Sequence, residues 1–326
     1  MKWGILATGN IASKFASTVN QMEEQQTLEA CASRRLEKAQ EFADRFSIAK
    51  AYDSYEAMVQ DPEVEAVYVA TPNNMHYDNC RMCLEAGKHV LCEKPFTTNC
   101  KEAEQLFALA EEKGLFIMEA FWIRFLPALL KLQQLLKEGE IGDVLWARSE
   151  FGFVATGARK DRKFDSSLAG GALLDIGIYN LRFMRMVMGD EQPEEFTSQY
   201  HINEYGTDDF STIQLNYPGG KKASVTTSIG IPMQRHAMVY GTAGSIFLED
   251  FQHAQKLVVR PAGKEEYVIE LPEEINGFEY QIREVERCVK AGMSTSDILK
   301  KEDTLEILEL MDKIRQSWGL TFQCER

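Results

Sequence analysis

The first 120 residues alternate between two hydrophobic rhythms. Short runs that are apolar at nearly every position occur at Trp3–Leu6, Leu28–Ser33, Ala51–Tyr52, Ala66–Ala70, His89–Cys92 and Leu115–Met118. Such runs, β-branched at Val67 and Val69, predict strands buried on both faces. Between them the pattern predicts helices over Ile11–Glu24, Leu36–Phe46, Ser54–Val59 and Asn74–Ala86, and one from Thr98 or Asn99 that stops at Gly114. Ser54 can accept a bond from an orphan N–H at its helix start, and Gly87 suits a left-handed helix end. Repeated β-α-β order implies a parallel sheet with helices on both faces.

After Glu119 the texture changes. Helical stretches are expected at Pro127–Lys137 and Gly171–Met188, and the chain closes with two more, around Ile275–Ala291 and Lys301–Gly319. The remainder reads as successive strands, among them Val144–Phe153, Glu195–Ile202, Asp209–Tyr217 and Lys222–Ser228. Turn signals such as Pro218-Gly219-Gly220 separate some of them, which implies a mostly antiparallel sheet. The expected architecture is α/β: a doubly wound parallel sheet over 1–120, then an α+β domain with a large, open, mostly antiparallel sheet over 121–326.

Composition narrows the class. The chain has 326 residues, 44% hydrophobic and 26% charged, as in two soluble domains. No stretch approaches the roughly 20 apolar residues of a membrane span, and the N-terminal apolar run ends at Gly9, too soon for a secretory signal. A net charge of −14 disfavours nucleic acid as a partner. Seven cysteines without a paired framework point to a reducing compartment, hence the cytoplasm. Cys80 and Cys83 read as ordinary buried or half-buried thiols on an amphipathic helix. The five histidines are scattered, so no metal site is expected.

The first strand opens into Ala7-Thr8-Gly9-Asn10-Ile11-Ala12. Set against the dinucleotide fingerprint G-x-G-x-x-G/A, the central glycine is kept and the first is replaced by Ala7. Gly9 lets a pyrophosphate approach the backbone, and the following helix offers its free N–H groups to it. The second strand ends at Ser33-Arg34-Arg35. An acid usually stands here to bind the ribose hydroxyls of NAD. Ser33 and either arginine instead suit a 2′-phosphate, which favours NADP over NAD.

Two further clusters carry candidate chemistry. Cys92-Glu93-Lys94-Pro95 lies at the carboxyl end of a parallel strand, where such sheets bind ligands. Gly170-Gly171-Ala172-Leu173-Leu174-Asp175-Ile176-Gly177-Ile178-Tyr179 puts Asp175 and Tyr179 at i and i+4 of an expected helix. Taken singly, Lys94 also reads as a surface lysine, Asp175 as a capping acid and Tyr179 as a core tyrosine. Together with the first turn and Thr71-Pro72-Asn73 followed by His76, these segments resemble the glucose–fructose oxidoreductase/inositol dehydrogenase (Gfo/Idh/MocA) family over essentially the whole chain. Within it, Met118-Glu119-Ala120-Phe121-Trp122-Ile123-Arg124-Phe125 and Tyr179 are similar to the dimeric dihydrodiol dehydrogenase/D-xylose 1-dehydrogenase branch. Tyr179 departs from the wider family, in which many members carry histidine.

The resemblance implies hydride transfer between NADP and a sugar or cyclic trans-dihydrodiol, and a homodimer formed through the second sheet. It implies cofactor contacts at Thr8, Gly9, Asn10, Ile11, Ser33, Arg34, Arg35, Thr71, Pro72, Asn73, His76, Glu93, Lys94 and Arg124. Alcohol oxidation needs a base for the hydroxyl proton. A phenol of ordinary pKa near 10 is a poor one until an ammonium favours the phenolate. The expectation is that Lys94 supplies that charge, Tyr179 moves the proton and Asp175 supports the substrate. Trp122 could wall a substrate ring or anchor core packing, and Arg124 could reach the cofactor or shape the pocket. The basic segment 153–167 could serve an anionic substrate or be solvated. Two rival classes are a silent NADP-binding sensor and a redox-assisted sugar elimination without net cofactor turnover. A sensor need not keep both Lys94 and Tyr179.

Overall fold

The computed structural model describes residues 1–24, 26–157 and 162–325. Arg159 and Lys160 of the basic segment lie outside the described residues. Two compact units emerge: Met1–Trp122 with Glu274–Leu308, and Ile123–Glu273 with Glu309–Arg326. The return of 274–308 to the first unit differs from the assignment of 121–326 to one domain. Its cause is a set of long-range polar contacts. Asn276 Nδ2 donates to Thr18 Oγ1 at 2.9 Å, and Gln26 Nε2 donates to Glu286 at 2.6 Å. The Ile117 N–H donates to Ser294 O at 3.0 Å, and Thr304 Oγ1 to Glu119 at 3.1 Å.

The first unit holds strands β1 (Lys2–Leu6), β2 (Thr27–Ala32), β3 (Lys50–Tyr52), β4 (Ala66–Val69), β5 (His89–Glu93) and β6 (Ile117–Ala120). They form a parallel sheet in the order β3-β2-β1-β4-β5-β6. Helix α1 (Asn10–Val19) buries Ala12, Phe15, Ala16 and Val19, the i, i+3, i+4, i+7 stripe of an amphipathic helix. Phe15 stacks on Tyr68 of β4 with ring centroids 4.0 Å apart. The helix stops five residues before Glu24, because the N–H groups of Gln21 and Met22 turn back onto Thr18 O and Asn20 Nδ2 bonds Phe46 O at 2.8 Å. Helix α2 (Leu36–Phe46) and the short α3 (Tyr55–Val59) follow, the latter capped by Ser54 Oγ from the Ala57 N–H at 3.1 Å. A 3₁₀ turn at Asn73–Met75 leads into α4 (His76–Glu85). Helix α5 (Cys100–Lys113) is capped by Asn99 and ended by Gly114 at φ 64°. Cys80 and Cys83 are free and buried.

In the second unit α6 (Pro127–Lys137) precedes β7 (Val144–Gly152). The expected single helix Gly171–Met188 is a π turn, Leu173–Gly177, followed by α7 (Ile178–Met188). Strands β8 (Glu195–Ile202), β9 (Asp208–Asn216), β10 (Lys222–Ser228), β11 (Ala237–Gly241), β12 (Gly244–Leu248), β13 (Lys256–Pro261) and β14 (Tyr267–Glu270) complete a sheet ordered β14-β13-β12-β11-β7-β10-β9-β8. Only the β7–β10 pair is parallel among its described strands. Alternate residues of β10 are buried, as in a sheet covered on one face. The last helices are α8 (Phe278–Lys290) and α9 (Lys301–Ser317).

At the β1–α1 turn Ala7 sits at φ 75°, where the fingerprint has its first glycine. An L side chain in this region costs about 1–2 kcal/mol, partly offset because alanine restricts the unfolded chain more than glycine does. Ala7→Gly should therefore raise the unfolding free energy by about 0.5–1 kcal/mol, read as a higher midpoint in chemical denaturation. An unchanged or lower midpoint would show that the turn is relaxed with alanine.

Candidate functional site

The carboxyl ends of β1, β2 and β4 surround a cavity of about 650 Å³. Thr8 and Gly9 line it from the first turn, Ser33, Arg34 and Arg35 from the second, and Pro72 with Met75 from the third. Gly9 has φ −81° and ψ −175°, which any residue can adopt, and a Cβ there would meet nothing within 4 Å. Neither backbone nor packing in this chain calls for glycine, so the space over Gly9 suits a group that must touch the backbone. Asn10 and Ile11 are exposed at the start of α1, which no side chain caps. The N–H groups and partial positive charge of that helix end suit a pyrophosphate.

The second turn is cationic. Lys38, which sequence reasoning passed over, joins Arg34 and Arg35 on the cavity wall, and no carboxylate lines it among the described residues. Lys38 lies in the first turn of α2, which directly follows the two arginines, so its place at the helix start was the available signal. The residues present fit a phosphorylated dinucleotide.

Several residues expected to contact a cofactor have buried side chains. His76 is 1% exposed. Its Nδ1 lies 2.8 Å from Pro95 O and its Nε2 2.9 Å from Thr71 O, so the ring ties the β4 loop to the β5 loop. Burial holds its pKa below the ordinary value; the two carbonyls oppose this and the Lys94 charge reinforces it. The neutral ring carries one N–H and donates it to one of these two carbonyls, so His76 braces the loops while its expected cofactor contact stays a proposal. Thr71 is buried too, its Oγ1 accepting from Asn79 at 3.0 Å. Glu93 is buried, accepts from the Tyr68 hydroxyl and the Lys94 N–H, and has its pKa raised by burial. Asn73 and Lys94 are half-buried, Lys94 directly after β5. Trp122 is buried against Phe278, with rings 5.6 Å apart and Lys14 Nζ 4.5 Å above its face. These contacts favour the anchor role over the substrate wall.

In the second unit Asp175 lies in the π turn and Tyr179 in the first turn of α7. The α-helical i, i+4 spacing is therefore replaced by a π turn running into a helix. Asp175 pairs with Lys163, whose side chain is 11% exposed and lies over the Phe153 ring. Lys163 of the basic segment is thus an internal partner, whereas Arg162 is exposed. Tyr179 is buried with its ring 5.9 Å from that of Phe151. The adjacent Asn180, fully buried, accepts from Ser149 of β7 at 2.7 Å and donates to Thr227 of β10 at 3.0 Å, pinning α7 to the sheet. Arg124 donates to Gln133 at 2.7 Å.

Comparison with known proteins follows this geometry. Residues 1–121 match the family described as "Oxidoreductase family, NAD-binding Rossmann fold", and residues 129–247 match the GFO/IDH/MocA C-terminal domain. The chain is 37% identical to trans-1,2-dihydrobenzene-1,2-diol dehydrogenase of Mus musculus over 99% of this chain and 98% of that one. The Homo sapiens enzyme of that name is 36% identical over the same shares. Among solved structures, a 3-ketoreductase from Actinomadura kijaniata in complex with NADP and TDP-benzene aligns with a TM-score of 0.87, 27% identity and 97% of each chain. An aldose-aldose oxidoreductase from Caulobacter crescentus complexed with glycerol shares the fold, with a TM-score of 0.88, 24% identity and 97% of each chain. The chain belongs to the GFO/IDH/MocA family of oxidoreductases.

Proposed function

We propose that the protein is an NADP-dependent dehydrogenase that oxidises a CH–OH group of a sugar or a cyclic trans-dihydrodiol. The observation that carries the cofactor is the wall of Ser33, Arg34, Arg35 and Lys38, which meets the cavity without a carboxylate. A 2′-phosphate is favoured there and two bare ribose hydroxyls are not. The substrate class rests on the relatives named for a dihydrodiol and on the 3-ketoreductase. A nicotinamide, when bound, supplies hydride acceptance. The side chains move the proton and hold the alcohol: Tyr179 takes the hydroxyl proton in oxidation and returns it in reduction, and Lys94 supplies the cation that stabilises the deprotonated oxygen. Asp175, charge-paired with Lys163, accepts from a neighbouring hydroxyl.

We further propose a cytoplasmic homodimer. On the uncovered face of the second sheet, Trp146 of β7 is 37% exposed and stacks on Tyr240 of β11 at 5.0 Å. Apolar surface of this kind marks an interface, and a second copy of the same sheet matches it.

NADP+ reduction followed at the nicotinamide absorbance, over aldopentoses, aldohexoses and cyclic trans-diols, tests the activity. No turnover on any of them, with cofactor binding intact, would favour the sensor. Arg34→Ala together with Arg35→Ala should weaken NADP+ binding by about 10–100-fold, the loss of a charge-assisted contact, and leave NAD+ binding nearly unchanged. Equal weakening of both would remove the 2′-phosphate assignment. Tyr179→Phe should keep cofactor affinity and lower kcat by about 10²–10⁴-fold; near-normal turnover would take Tyr179 out of the reaction. Trp146→Asp should elute as a monomer in size-exclusion chromatography, and an unaltered elution volume would place the interface elsewhere.

A further inference from the structure

One buried carboxyl group in the second unit stands outside the reaction just described. Asp208, the first residue of β9, is 1% exposed. Its Oδ2 accepts the Leu173 N–H at 2.7 Å. Leu173 opens the π turn that carries Asp175, and α7 with Tyr179 follows without a break. The other carboxyl oxygen rests against Gly171, where a Cβ would collide with it. Gly171 also stands at φ 120°, a backbone conformation that side-chain-bearing residues rarely adopt. Its N–H donates to Lys163 O at 2.8 Å, its C=O accepts the Asp175 N–H at 3.1 Å, and Lys163 Nζ closes the loop onto the Asp175 carboxylate. The paired glycines of the motif thus have a physical reason. Gly170 clears the Lys163 carbonyl and Gly171 clears Asp208.

We propose that Asp208 is a positioning residue: its enclosed carboxyl group, seated on Gly171 and bonded to the Leu173 N–H, holds the π turn that presents Asp175 and Tyr179. This rests on the reading of those two residues as the reacting pair in the second unit. A carboxylate at the start of a helical turn faces the positive end of the peptide dipoles and satisfies an N–H that has no partner within the turn. Burial works against the charge and pushes the Asp208 pKa up to about 7. The Leu173 N–H and the Asp208 N–H lower it, Asp209 on the same strand raises it, and Arg315 of α9 lowers it. Asp208 therefore gains a proton as pH falls through about 7. The charge-assisted bond to Leu173 weakens there and kcat falls with it.

The test uses the full chain with NADP+ and a substrate from the panel. It combines steady-state kinetics across neutral pH, cofactor titration by nicotinamide fluorescence and hydrogen exchange of the peptide 171–179. Asp208→Ala should speed exchange across that peptide, leave cofactor affinity within about twofold, and lower kcat by about 10–100-fold, as for a misplacement of about 1 Å at the reacting atoms. Asp208→Asn keeps an acceptor for the Leu173 N–H, so it should restore much of the exchange protection. In the reverse direction, with NADPH and the oxidised substrate, Tyr179 acts as the acid and falling pH favours it, so a fall of kcat below neutral pH reports Asp208 and should be absent from Asp208→Asn. Unchanged exchange in Asp208→Ala, faster exchange with unchanged kcat, or the acid-side fall persisting in Asp208→Asn would each overturn the proposal. Tyr179→Phe is the control. If it is inactive while Asp208→Ala is normal, only the positioning role fails; if it is active, the reading of Tyr179 fails and this role with it.

Discussion

The parallel register of β1 between β2 and β4 is the constraint on which the cofactor site depends. Trp3, Gly4, Ile5 and Leu6 pair with Ala66, Val67, Tyr68 and Val69 in unbroken step. Every strand of this sheet runs the same way, so the turns after β1, β2, β4 and β5 leave one edge. That edge gathers Gly9, Arg34 and Pro72 around a single cavity and puts Lys94 at the end of β5. A slip of one residue in β1 would exchange its two faces and carry Gly9 off the cavity. The strands tolerate no slip because nearly every position of β4, β5 and β6 is buried, and a shift would take each side chain, Glu93 and Glu119 included, off its partners.

Both units place polar groups in dry surroundings and satisfy them with backbone. His76 lies between two carbonyls at the sheet edge and donates its one N–H to one of them, and Lys88 donates to the carbonyls of Asp61 and Val64 at 2.7 Å each. Asn180 and Asp208 do the same for α7, one holding its flank to the sheet and the other its leading turn. A buried polar group without a partner costs about 1–3 kcal/mol. Each of these groups therefore has one favourable placement, and the segments it touches are fixed with it. The catalytic candidates lie beside such anchors: Lys94 follows Glu93, and Tyr179 precedes Asn180. Loops built this way hold a reactive side chain to the narrow range of positions that catalysis demands.

Local pattern determined much of this protein. The continuous apolar runs and the intervening helical spacing named the parallel sheet, and helices α2 and α6 fell on Leu36–Phe46 and Pro127–Lys137 as expected. These readings succeed because a strand buried on both faces and a helix buried along one stripe each impose a short period on the chain. Motif spacing also marked Gly9, Arg34, Arg35, Lys94, Asp175 and Tyr179, since turn geometry and charge are local properties.

Tertiary structure decided what depends on partners distant in sequence. Segment 274–308 joins the first unit through Thr18, Gln26 and Glu119, which no window around residue 280 contains. His76 turns inward because Pro95 and Thr71 offer carbonyls on both sides. The helix expected from Gly171 opens as a π turn beside Asp208, 35 residues along the chain from the N–H it holds. Sequence alone therefore determined most of the elements and marked the residues proposed to carry the chemistry. Which polar groups face the cavity and which brace it from behind was left to folding, because burial and hydrogen-bond partners exist only once the chain is closed.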